Sequence, residues 1–113
     1  KAMAVTETML QKYPDLAGIF AINDSTALGA LKAVESMGRT NVVIVGYDGD
    51  PEARREILRG SPLKADAVQF PRKIGSTVVE MVAKHLRGEQ VPKLVPIPCD
   101  IIDREKLEKE AKG

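Results

Sequence analysis

The apolar positions of this chain switch repeatedly between two spacings, and the switching predicts helices and strands in alternation. Met3, Val5, Met9, Leu10 and Tyr13 recur at roughly helical spacing before the breakers Pro14 and Asp15, which predicts a helix over 3–13. GIFAI at 18–22 is short, wholly apolar and bounded by turn signals, the pattern of a strand buried on both faces. Ala27, Leu28, Leu31, Val34 and Met37 then return to helical spacing, and Gly38 supplies a stop. VVIV at 42–45 is the clearest strand, a β-branched run without polar alternation. The turn GYDGDP leads into a helix over 51–59, with Pro51 at its start and Gly60 past its end.

ADAVQF at 65–70 reads as a further strand. After Pro71, the residues Ile74, Val78, Val79, Val82 and Leu86 line one face of a long amphipathic helix over 72–88. VPKLVPIPCDII carries three prolines and reads as extended chain that does not form a central strand over its whole length. DREKLEKEAK closes the sequence as a short charged helix. Buried strands alternating with helices through short connections predict an α/β fold, an open parallel sheet with helices on both faces. In such sheets ligands bind beyond the carboxyl ends of the strands, so the residues that follow each apolar run carry the functional question.

Composition narrows the classes. The 113 residues suffice for one small core, and 43% apolar with 29% charged residues is ordinary for a globular protein. A net charge of +1, from 17 basic and 16 acidic residues, gives no footprint for nucleic acid or an anionic membrane surface. Cys99 is the single cysteine, so neither an intrachain disulfide nor a cysteine metal cluster is available. The lone His85 lies near a predicted helix end, where a positive charge suits the helix dipole better than a catalytic role. No apolar run approaches the length of a membrane span. The chain begins at Lys1 without an initiator methionine, which suggests a processed chain or a fragment.

Three polar residues stand at or near predicted strand ends: Asn23, Asp48 and Gln69. An amide, a carboxylate and an amide suit a neutral polyol such as a sugar. The carboxylate accepts from two adjacent hydroxyls, while each amide donates to one oxygen and accepts from another. Each residue also has an ordinary reading: Asp48 as an Asp-Gly turn residue, Gln69 as a strand residue before proline, Asn23 as a local backbone partner. Their joint occurrence at successive strand ends favours a site. Asp24 and Ser25 read as N-caps of the helix that follows.

Nothing in the sequence calls for a phosphate or a cofactor: there is no P-loop and no glycine fingerprint after a strand. Enzymatic readings are weaker still, because no serine sits in a nucleophile elbow and Cys99 follows Pro98 with no paired histidine. A carboxylate pair of Asp24 and Asp48 holding Mg²⁺, as in phosphoacceptor domains, is a third reading. It lacks the later Lys and Thr or Ser it would need, since Gln69 and a proline-rich segment stand there instead.

The segments IFAINDSTALGALKAVESMG, VVIVGYDGDPEARREILRG and ADAVQFPRKIG resemble, in order and spacing, the carboxyl-terminal part of type I periplasmic sugar-binding proteins, ribose-binding branch. The resemblance covers essentially the whole chain and implies a flavodoxin-like lobe that binds carbohydrate without catalysis. Family members clamp sugar between two lobes and deliver it to the membrane subunits of an ABC permease. The resemblance implies that Asn23, Asp48 and Gln69 hydrogen-bond the sugar, a pentose such as ribose, with no metal and no cofactor. It implies a lobe made of 1–69 and 99–113. Residues 70–98 would form a crossover with hinge residues Gln69, Phe70, Pro71 and Pro98 and a helix that packs on the other lobe. The amino-terminal lobe and the first strand of the second, with its sugar-contacting aromatic and arginine, are missing. The chain is therefore expected to be a truncated half that binds sugar weakly or not at all alone. Its 72–88 helix is expected to fold back on the sheet or to pair in a homodimer, and Arg/Glu/Lys-rich helices suggest a thermophilic source. The parent is expected outside the cytoplasm. The effector domain of a LacI-type regulator shares these signatures and is the alternative.

Overall fold

In the computed structural model, which describes residues 1–113, helices and strands alternate as the pattern predicts. In chain order they are α1 (Ala2–Lys12), β1 (Gly18–Phe20), α2 (Asp24–Ser36), β2 (Val43–Asp48), α3 (Pro51–Arg59), β3 (Leu63–Val68), α4 (Pro71–Leu86), β4 (Asp100–Asp103) and α5 (Arg104–Lys112). The chain divides into two compact units, Lys1–Val68 with Asp100–Gly113, and Gln69–Cys99.

The first unit is built on a sheet of order β1-β2-β3-β4. β1, β2 and β3 run parallel and β4 is antiparallel to β3, so the parallel sheet expected from the sequence is completed by an antiparallel edge. The proline-rich segment reaches strand geometry only at Asp100, after its last proline, where backbone donors become available for pairing.

Register explains which residues form the core. Ile44 pairs with Ile19 on one side and Leu63 on the other, and Gly46, Asp66 and Ile102 continue the same inward row. Contacts of α1 with α2, α2 with α3 and α3 with α5 join these helices in one layer, and α2, α3 and α5 also contact β2, β3 and β4. Between that layer and the sheet lie Leu10, Ala27, Leu31, Val34, Ile44, Ile57, Leu63, Ile102 and Leu107. Each large aliphatic side chain so buried contributes about 1.5–3 kcal/mol.

The opposite face departs from the expectation of helices on both sides. Its row of Phe20, Val43, Val45, Tyr47, Ala65, Ala67 and Ile101 holds no buried residue. Phe20 and Ile101 are 71% and 67% exposed. Right-handed crossovers between consecutive, neighbouring parallel strands put their helices on the same side, so the order β1-β2-β3 leaves this unit covered on one face only.

The second unit consists of α4 and the extended segment after it. Pro71 starts α4 at its first turn, and the apolar row predicted from the sequence is present. A shallow hollow runs between Ile74, Val78 and Met81 on the helix and Pro92, Val95 and Ile97 on the segment. No residue of α4 is buried.

Candidate functional site

The candidate residues lie at or just beyond the carboxyl ends of the parallel strands. Asp48 is the last residue of β2, and Asn23 lies just beyond β1, whose pairing with β2 continues in the Ala21 N–H bond to the Val45 carbonyl (2.9 Å). The two half-buried side chains therefore stand at the same edge of neighbouring strands. Gln69, also half-buried, follows β3 directly, one residue past Val68, the register partner of Asp48. It opens the second unit, beside Phe70 and Pro71 at the start of α4.

Asn23 does something the sequence reading gave to its neighbours. It is the N-cap of α2: its backbone is extended (φ −157°, ψ 168°) and its Oδ1 accepts the Thr26 N–H at 2.9 Å. Asp24 and Ser25, expected as caps, do not play that role. The cap must precede the first helical residue, and Asp24 already has helical backbone. Capping engages only the oxygen of the Asn23 amide, and its Nδ2 group takes no part in the cap.

Asp24 is fully buried under the turn that follows β2. Its Oδ2 accepts the Gly49 N–H at 3.0 Å and the Asp50 N–H at 2.7 Å. The Oδ2 of Asp66, equally buried on β3, accepts the same Gly49 N–H at 3.0 Å. The two Oδ1 atoms meet no N–H donor. The two carboxyl groups are near enough that one proton between them would join them in a hydrogen bond. Burial, reinforced by the hydrogen bond and the charge of Asp24, pushes the Asp66 carboxyl up to about 7, against the opposing pull of the Gly49 and Ala67 N–H groups.

Gly46 makes room for this pair. A Cβ there would stand 2.6 Å from the Asp24 Oδ1 and 3.2 Å from the Asp66 Oδ1. The turn above is held in unusual backbone. Asp48 has φ 134°, a conformation that costs a non-glycine residue about 1–3 kcal/mol, and Gly49 follows at φ 85°. At Gly49 a side chain would also meet the Val68 side chain at 2.8 Å. Arg54 on α3 donates from Nε to the Gly49 carbonyl at 3.0 Å. Strain at Asp48 is thus offset by three backbone-to-carboxylate bonds and an arginine clamp.

Asp66 was missed as anything but a strand residue. The signal was there, an aspartate between two alanines in an otherwise apolar strand at an inward position. Against the Mg²⁺ reading, the Oδ2 of Asp24 is engaged by the Gly49 and Asp50 N–H groups beneath the turn. No group of three or more His, Cys, Asp or Glu side chains is arranged to hold a metal ion, and no helix is long and apolar enough to cross a membrane.

Residues 1–90 match the family described as periplasmic binding protein domain, and the chain belongs to that family. It is 36% identical over 102 residues to the ribose import binding protein RbsB of Salmonella typhimurium, covering 90% of this chain and 34% of that protein. It is 35% identical to the D-allose-binding periplasmic protein of Escherichia coli, over 86% of this chain and 30% of that one. Among solved structures, an ABC transporter periplasmic solute-binding protein from Actinobacillus succinogenes with bound D-allose superposes with TM-score 0.85 at 31% identity, over 96% of this chain and 38% of that one. The chain thus spans about a third of the length of the curated relatives it matches, 34% for the ribose protein.

Proposed function

We propose that this chain is the carboxyl-terminal portion of a monosaccharide-binding protein of an ABC importer, in which Asn23, Asp48 and Gln69 hydrogen-bond the sugar hydroxyls. The observation that carries the reading is the placement of Asn23 and Asp48 at the carboxyl ends of adjacent parallel strands, with Asp48 held in strained backbone. Relatives named for ribose, D-apiose and D-allose support a monosaccharide. A pentose such as ribose is the ligand we favour. The names of these relatives speak for import rather than for a LacI-type regulator, and for a parent that works outside the cytoplasm with permease subunits and without catalysis.

Gln69, Phe70, Pro71 and Pro98 are proposed as the hinge, at the borders of the second unit. Alone, the chain lacks the second wall of a clamp and is expected to bind weakly. Titration of isotope-labelled chain with D-ribose should shift the side-chain amides of Asn23 and Gln69 and the backbone at 48–50, with affinity weaker than micromolar. Shifts elsewhere, or none at saturating sugar, would remove the site assignment. The exposed stripe of α4, with Val78, Val79 and Leu86 at 55%, 69% and 79% exposure, is proposed as a homodimer contact in the isolated chain. Light scattering that finds a monomer at all concentrations would remove that contact.

A further inference from the structure

The sugar-binding reading uses Asp48 but not the two carboxyl groups buried beneath it. We infer that Asp24 and Asp66 share one proton and act together as positioning residues for Asp48, a proton-dependent latch that fixes the turn at 48–50 from below. Three features converge on this. Both side chains are fully buried, on different elements, with their Oδ1 atoms directed to the space left by Gly46. Both Oδ2 atoms accept the Gly49 N–H, and that of Asp24 also accepts the Asp50 N–H, so the pair grips the two peptide groups that follow Asp48. Two ionised carboxylates in such contact would repel in a medium of low dielectric, whereas one shared proton makes the contact attractive.

The charged groups around the pair are few. Asp48 and Asp50 belong to the turn itself, and Arg54 on α3 reaches the Gly49 carbonyl. On the neighbouring strand β4, the residue opposite Asp66 is the apolar Ile102, flanked by Ile101 and Asp103. Arg54 bonds the Gly49 carbonyl and Glu110, and the donors to the buried carboxyls are backbone N–H groups, so no cation is hydrogen-bonded to either carboxyl to replace the proton. Loss of the proton leaves two adjacent anions, and the turn is the part that must move.

The sign of the effect on folding follows from burial. Asp66 is raised in the folded chain, from 3.8 to about 7, so the pair stabilises fully below about pH 4 and its contribution is lost as pH rises through about 7. The latch does not depend on the sugar reading; only its consequence for binding does.

The test is a pH titration of the ligand-free, isotope-labelled chain. The Asp66 carboxyl carbon and the backbone amides of Gly49 and Asp50 should share one inflection near pH 7, and the melting temperature should fall between pH 5 and 8. Asp66→Asn, whose amide donates permanently where the shared proton did, should keep those two amides near their acid-form positions at all pH values and flatten the fall. An Asp66 carboxyl that titrates near 4, or a melting temperature that rises over that range, would overturn the latch even if the variant failed to fold. If the titration holds and ribose shifts nothing, the sugar reading fails and the latch stands. If ribose shifts Asp48 with no inflection near 7, the reverse is true.

Discussion

Helices α2 and α4 carry comparable apolar stripes and meet opposite fates. α2 buries Ala27, Ala30, Leu31, Ala33 and Val34 against α1 and the sheet, whereas α4 presents Ile74, Val78, Val79 and Val82 and buries nothing. Even the two faces of the sheet repeat the contrast, with Ile44 at 0% exposure on one side and Val43, its neighbour in sequence, at 42% on the other. An apolar stripe states that a surface must be covered. It does not state that the same chain covers it. In this molecule the covered surfaces are those that right-handed β-α-β crossovers reach, and the open ones fit a chain that spans about a third of its relatives (34% of the ribose protein).

The contrast predicts unequal costs for the same kind of truncation. Ile44→Ala removes a side chain enclosed between strands and the helix layer and should cost about 2–5 kcal/mol in urea unfolding. Val79→Ala, at 69% exposure, should change the same measurement by less than about 0.5 kcal/mol at concentrations where the chain is monomeric. A large loss at Val79 in the monomer would break the comparison, because it would mean that α4 is packed in solution after all.

These costs mark what was legible in the sequence. Every helix and the three parallel strands were found near their places, because β-branched runs, helical spacing and the Pro and Gly at helix ends are local signals, whereas β4 was read only as part of an extended proline-rich segment. Boundaries failed where tertiary pairing decided them. β2 was read as ending at Val45, since Gly46, Tyr47 and Asp48 look like a turn, yet its pairing with β3 runs on to Asp48 opposite Val68. The second open face was invisible for a similar reason: apolar runs such as GIF read as buried whether or not a helix lies above them. Asn23, Asp48 and Gln69 were legible as polar residues at strand ends. The Asp24–Asp66 pair was not, because it exists only through the register that sets Gly46 opposite Asp66. Sequence spacing says nothing about that register.

The start of each helix sharpens the comparison at a smaller scale. α2 begins with a side-chain cap from Asn23, and α4 begins after Phe70 with none. Asn23 therefore has two jobs, one structural through Oδ1 and one proposed through Nδ2, and a single alanine substitution confounds them. Asn23→Ala should cost about 0.5–2 kcal/mol of stability, whatever it does to sugar binding. Asn23→Asp separates the jobs: a carboxylate caps the helix as well as the amide does, but it has no hydrogen to donate to a ligand. The expected result is near-native unfolding for Asn23→Asp, with the ribose-dependent shifts at Asp48 weakened in the labelled chain. Unchanged shifts would leave Asn23 a helix cap and nothing more, and would move the sugar contact on β1 to another residue.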